Sequence, residues 1–321
     1  MWEVLETAKR VTEKSRRVRI NQNALLAFSQ NIREAGMQVP PWNYHCHFFD
    51  GSEETVSYLL VLDTLNFCFW STPGEHKWEV ESETQEGLSG YYALAVALKK
   101  AIKSGIPITN AHYLAELSLD ELKQLLDGTG KLQLLRNRLR SLNELGHVLR
   151  YDYGGQAFRL VEAAEKSAVA LSRLLAEKLP SFHDTAEYCG QKVFFYKRAQ
   201  IFVADLFGAF EGKAWGSFGD MDQLTAFADY KLPQVLRHLG ILHYEKALAQ
   251  KVDHQEYLDA GSPEEVEIRA NTVWTVELIR RELVRAGHKL RAFEIDWILW
   301  NLGQEETFKL KPYHRTVTVF Y

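Results

Sequence analysis

Cysteine is scarce in this chain: three residues, at 46, 68 and 189, and no CxxC pair among them. A sparse, odd set argues against a disulfide framework and fits reduced thiols in a cytoplasmic protein. Net positive charge is also missing. Lys and Arg number 38 against 42 Asp and Glu, a formal charge of -4, so a long nucleic acid, which calls for a basic face, is not the expected partner. A local basic pocket for one phosphate remains compatible with that balance. The opening MWEVLETAKRVTEKSRR has no apolar stretch of the kind a signal peptide needs. No run is long and apolar enough to span a bilayer, so no membrane partner is expected. The motifs GxxxxGK[ST], GxGxxG after a strand, and GxSxG are absent. Their absence argues against a P-loop NTPase, a dinucleotide-binding oxidoreductase and an α/β-hydrolase. No segment repeats and no low-complexity linker divides the chain, which predicts one domain over residues 1–321.

What is present is aromatic. Eight Trp, 14 Tyr and 17 Phe make up 12% of the residues, enough for a core of large rings or for a pocket that stacks a flat heterocycle; composition does not separate the two. The spacing of apolar residues predicts a mainly α fold. Asn21 caps a helix that Gly36 stops, residues 53–65 form a buried helix, and helicity resumes over 91–103. Ser118 with Glu121 is a capping-box pattern. Long amphipathic helices are expected over 132–149 and 157–179, the latter ended by Pro180. Residues 194–211 read as a central buried helix. A Gly-rich loop and a short helix to Ala228 follow, and Pro233 sits in the first turn of the next helix. Helices over 264–285 and 293–302 complete the set. A small antiparallel β element is expected from Asn66–Trp70 and the return KWEVE over 77–81, and the tail 315–321 alternates like a strand.

Several clusters could carry chemistry. His45-Cys46-His47 with Asp50 brings metal-ligand types together, but no second cluster completes a set, so neither a metal nor another cofactor is expected. Asp63, Asp205, Asp229 and Asp296 all sit in apolar surroundings, where a carboxylate is costly unless paired or hydrogen-bonded. A structural role is the plain reading of Asp63 and Asp205. Asp229 is placed differently, at the entrance to the helix beginning Lys231-Leu232-Pro233. A cap is its plain role. The same position sets a carboxylate beside Phe227 and Tyr230, with Lys231 and Lys197 as cations, a layout that suits ring, sugar and phosphate. Asp296 shares a helix face with Trp300 and could accept two parallel hydrogen bonds from a guanine-like edge. From the residues alone, the reading stops at a mostly helical enzyme or binder with an aromatic, acidic pocket.

The blocks VLDTLNFCFW (61–70), SGYYAL (89–94), GIPITNAHY (105–113), FYKRAQIFVADLF (195–207), FADYKLPQVLRHLG (227–240), EVEIRANTVWTVELIR (265–280), EIDWILW (294–300) and PYHRTVTVFY (312–321) run in order through nearly the whole chain. In them the sequence resembles the queuosine salvage proteins. That resemblance implies a helical fold like the helix-hairpin-helix DNA glycosylases, without their duplex-binding role. It also implies hydrolysis of queuosine 5′-monophosphate to queuine and ribose 5-phosphate. It makes Asp229 the catalytic carboxylate, Phe227 a base-contacting ring and Asp296 a base-reading group. It puts a substrate histidine in the Trp42–His47 segment, His45 being chosen and His47 the alternate. Tyr230 joins the binding set by proximity, and Lys197 and Lys231 are phosphate candidates on charge grounds. A non-catalytic queuine or nucleotide carrier using the same pocket is the competing reading.

Overall fold

The computed structural model describes residues 2–72, 74–81 and 87–321. Helix dominates, as the periodicity predicts: among the described residues there are 14 α-helices and only short strands, paired in three separate two-stranded antiparallel sheets. No helix among the described residues is long and apolar enough to cross a membrane.

The chain divides into two compact units. The first comprises the residues through Pro41, Asp184–Gln200 and Asp220–Thr318. Its axis is the Pro263–Arg285 helix, which Ser262 caps through the amide of Glu265 at 3.3 Å. This helix is buried on nearly every face and still carries Glu265, Glu267 and Arg269 inside, so each charge must find partners. Glu267 shows how. Its carboxylate accepts the amides of Arg16, Arg17 and Val18 at 3.0, 2.6 and 3.1 Å and the Tyr188 hydroxyl at 2.9 Å. That binding seats the Val18–Ile20 strand, which pairs antiparallel with Leu242–Tyr244. Val235, Leu236, Ile268, Val276, Ile295 and Leu299 fill the core between the Lys231–His238, Pro263–Arg285 and Ala292–Leu302 helices. The hairpin Thr185–Tyr188/Gln191–Phe194 turns on Cys189 and Gly190, both at positive φ (50° and 72°), as a two-residue hairpin turn requires.

The second unit comprises Trp42–His183, Ile201–Gly219 and Val319–Tyr321. The Glu53–Leu65 helix has the predicted bounds and is buried throughout its last two turns. The Ser118 capping box is present, with both of its reciprocal bonds formed.

Four local expectations are corrected. Residues 66–70 form no ladder among the described residues. Their carbonyls are engaged by the fully buried Arg138, whose guanidinium donates to Leu65, Phe67 and Cys68 and lies over the rings of Phe67 and Phe69 at 4.3 and 5.1 Å. Cys68 also stands at φ 47°, which breaks an extended run. The return segment pairs elsewhere: Glu79–Val80 with Leu88–Ser89. Among the described residues the tail 315–321 forms no strand, only the isolated bridge Tyr257↔Arg315. The long helix expected over 157–179 is two helices, Ala157–Glu162 and Ala168–Lys178, because Glu165 and Lys166 turn left-handed (φ 49° and 62°) and Ser167 caps anew. Before Asp229 the expected short helix is one 3-10 turn, Met221–Gln223, followed by an extended buried run.

Candidate active site

That extended run, Leu224 to Asp229, is buried at every position. Gln200 holds its start, its side-chain carbonyl accepting the amide and hydroxyl of Thr225 at 2.9 and 3.1 Å. At its end the Asp229 amide donates to the Phe227 carbonyl at 2.7 Å, closing a γ-turn at Ala228. Asp229 Oδ1 then accepts the amides of Lys231 and Leu232 at 2.8 and 2.9 Å. Those are orphan donors of the Lys231–His238 helix, and Pro233 has no amide to leave unsatisfied. The cap role is therefore real, but it occupies one oxygen. Among the described residues Oδ2 accepts no hydrogen bond.

Asp296 projects from the Ala292–Leu302 helix and its Oδ1 accepts the amide of Phe227 at 2.8 Å. The two carboxylates bracket the same short turn. Burial and then the negative charge of Asp229 push the Asp296 carboxyl well above the usual range, against the pull of the Phe227 amide and Lys197. Burial also raises Asp229, opposed first by the charge of Lys197, then by the two amides and Lys231. Lys197, which begins the Lys197–Ala209 helix and is 5% exposed, is thus the cation acting on both carboxyls. Two adjacent carboxyls pushed up by different causes are the arrangement an acid–base pair uses. Ionised, Asp296 could accept the two parallel bonds expected of it; protonated, it offers an O–H.

Phe227 is buried between these anchors. Tyr230 is half-buried and packs on Tyr313 with ring centroids 4.9 Å apart. Lys231 reaches Gln234 at 3.1 Å, and its ammonium lies 5.8 Å from the Tyr313 ring centroid. The first unit therefore gathers Asp229, Phe227, Asp296, Lys197, Lys231 and Tyr230.

His45 lies in the second unit, exposed, and there its amide donates to Asn43 at 3.1 Å while its carbonyl accepts Lys99 at 2.8 Å. His47 is buried. Its Nδ1 faces the Asn43 carbonyl at 2.7 Å and so carries the ring proton, and its Nε2 lies 2.9 Å from the Tyr91 hydroxyl. That hydroxyl is also 2.8 Å from Asp205, so one phenolic proton lies between an imidazole and a carboxylate. Burial lowers the imidazole from 6.5 to about 4. A depressed histidine leaves stability intact above its unfolded value and removes it as pH falls toward the folded one. The free energy of unfolding is expected to drop by roughly 3 kcal/mol between pH 6.5 and 4 from this group. Denaturant titrations of the parent and His47→Gln check it: the variant should lack that component.

Sequence reasoning missed Arg269, Asp184 and Gln200. Arg269 had a signal, a charge four residues after Glu265 in a largely apolar helix. Asp184 and Gln200 had none, since the groups they bond lie far away in the chain.

The family described as queuosine salvage protein matches residues 46–321. A Sphaerobacter thermophilus protein named queuosine 5′-phosphate N-glycosylase/hydrolase is 46% identical over 318 residues, covering 99% of this chain and 97% of its own. Proteins of the same name from Bos taurus and Mus musculus are 37% and 35% identical, each over 98% of both chains.

Proposed function

The chain belongs to the queuosine salvage protein family, and from that premise we propose that it hydrolyses the N-glycosidic bond of queuosine 5′-monophosphate and releases queuine. The observation that carries the reading is Asp229: a buried carboxylate with one oxygen fixed by two amides and the other accepting no hydrogen bond among the described residues, next to a second carboxyl that burial and the Asp229 charge push well above the usual range.

Cleavage at a ribose anomeric carbon passes through an oxocarbenium-like state. Ionised Asp229 faces that carbon through Oδ2 and stabilises the positive charge or attacks it. The C1′–N bond breaks, water supplies the hydroxyl at C1′, and the base leaves with a proton. A 7-deazaguanine has carbon where a purine has N7, so protonation there is closed. The neutral Asp296 carboxyl supplies an O–H to the departing base at another position on its edge. Phe227, with Tyr230, provides the aromatic face for the heterocycle. Three thiols without a CxxC pair and the weakly acidic charge fit a cytoplasmic enzyme acting on a free mononucleotide.

Incubating the purified protein with queuosine 5′-monophosphate should yield free queuine by mass spectrometry. A carrier would bind the nucleotide and return it intact. The lysines separate by readout. Lys231→Ala should erode the preference for the 5′-phosphate over the bare nucleoside by about 10–100-fold in kcat/KM, the range of a lost charge-assisted bond. Lys197→Ala should reduce that preference and kcat together, because its charge also acts on both carboxyls. An unchanged preference in both variants removes the lysines from the phosphate site.

A further inference from the structure

Arg269 is 2% exposed, on the inner face of the Pro263–Arg285 helix. Its Nε donates to the carbonyl of Ala228 at 2.9 Å. Its Nη1 and Nη2 donate to the two oxygens of Asp184 at 2.9 and 2.6 Å. The guanidinium lies 3.9 Å from the Phe195 ring centroid, and Glu265 stands 3.5 Å from Nη1. Asp184 is equally buried. Its Oδ2 also accepts the amide of Lys197 at 3.1 Å, and its carbonyl accepts the amides of Phe195 and Tyr196 at 3.0 and 3.2 Å. One planar fork therefore ties two backbone points together: the carbonyl just before Asp229 and the amide at which Lys197 starts its helix. A buried ion pair adds little net stability over apolar packing of the same volume. What a bidentate guanidinium adds is fixed geometry.

We propose that Arg269 and Asp184 are positioning residues for the reaction, holding the Asp229 peptide and the start of the Lys197 helix in one register. The proposal rests on the reading of Asp229 as the reacting carboxylate. Neither residue is assigned contact with the reacting atoms. A misplacement of about 1 Å at a reacting group is enough to cost about 10²-fold in rate.

Two substitutions test it. Arg269→Lys keeps the charge and loses the fork; Asp184→Asn keeps the shape and loses the charge. With queuosine 5′-monophosphate, each is expected to lower kcat by about 10²-fold while KM stays within about 3-fold and unfolding stays cooperative. A second readout does not need turnover. The Asp229 carboxyl, followed by carbon-13 NMR and assigned by its absence in Asp229→Asn, should titrate at a shifted pH in Arg269→Lys. Net charge is equal there, and the charged groups that act on Asp229 (Lys197, Lys231 and Asp296) are all retained.

A folded Arg269→Lys protein with parental kcat and an unmoved titration overturns the proposal. So does a kcat loss that only follows the unfolded fraction while the titration stays put. If the parent releases no queuine yet the titration moves, the assigned activity fails and the positioning link stands. Should Arg269→Lys not fold, Asp184→Asn is judged by its KM-against-kcat split and by the same titration.

Discussion

Asp229→Asn should lose turnover by at least about 10³-fold and, at pH 7, unfold at a higher temperature than the parent. The first half follows from charge. Asparagine keeps an oxygen for the amides of Lys231 and Leu232, so the helix start survives, but it brings no negative charge to an oxocarbenium-like centre. The second half follows from linkage. Burial raises the Asp229 carboxyl in the folded state. Between its unfolded and folded values the native protein binds more protons than the unfolded chain, so stability falls as pH rises through that window. Above both values the cost of the buried charge is fully present, and asparagine does not carry it. A gain of order 1 kcal/mol is expected, visible in thermal unfolding at pH 7 and absent well below the unfolded pKa. Queuine release near the parental rate would remove Asp229 from the reaction. Dead but destabilised protein would mean the carboxylate is mainly architectural.

Asp296→Asn should flatten the alkaline side of the pH–rate profile and lower kcat by about 10²–10⁴-fold. In the parent, the pair gives a bell: activity rises as Asp229 ionises and falls as Asp296 loses its proton, the two steps belonging to the pair rather than to either residue alone. Burial and the Asp229 charge put the second step well above the first. Asparagine can still accept the Phe227 amide, which keeps the turn, and it is neutral like the protonated acid, so the acid limb should stay in place. A variant that keeps the alkaline limb would assign that limb, and the proton for the departing base, to another group.

Much of the fold was legible where burial and periodicity agree. The Glu53–Leu65 helix, the capping box at Ser118 and the Asn21 cap, which accepts the amides of Asn23 and Ala24, follow from local rules. Several failures share a cause, non-glycine residues at positive φ. Cys68, Glu165, Lys166 and Cys189 turn the chain where only glycine or proline would have announced it. Arg138 is a further case, since its buried fork meets carbonyls some 70 positions back in the chain, a distance no pattern reports. At the candidate site, Asp229, Phe227 and Asp296 were singled out before their geometry was known. The sequence could not tell that Asp296 bonds the Phe227 amide, nor that burial and the charge of Asp229 push its carboxyl up. Those depend on folding two segments 69 residues apart onto one turn.

The shared oxygen of Asp229 limits how this enzyme could change. Glutamate carries the same chemistry on a longer stem, yet a carboxylate one methylene further out could not both close the first turn of the Lys231–His238 helix and aim its second oxygen as aspartate does. Retuning toward a sugar of another size therefore has to come from moving the main chain around Ala228, not from exchanging acids at position 229. On the proposed role of Asp229, substrate range follows from where the Ala228 peptide is placed, and laboratory evolution is expected to find its gains in residues that shift that peptide.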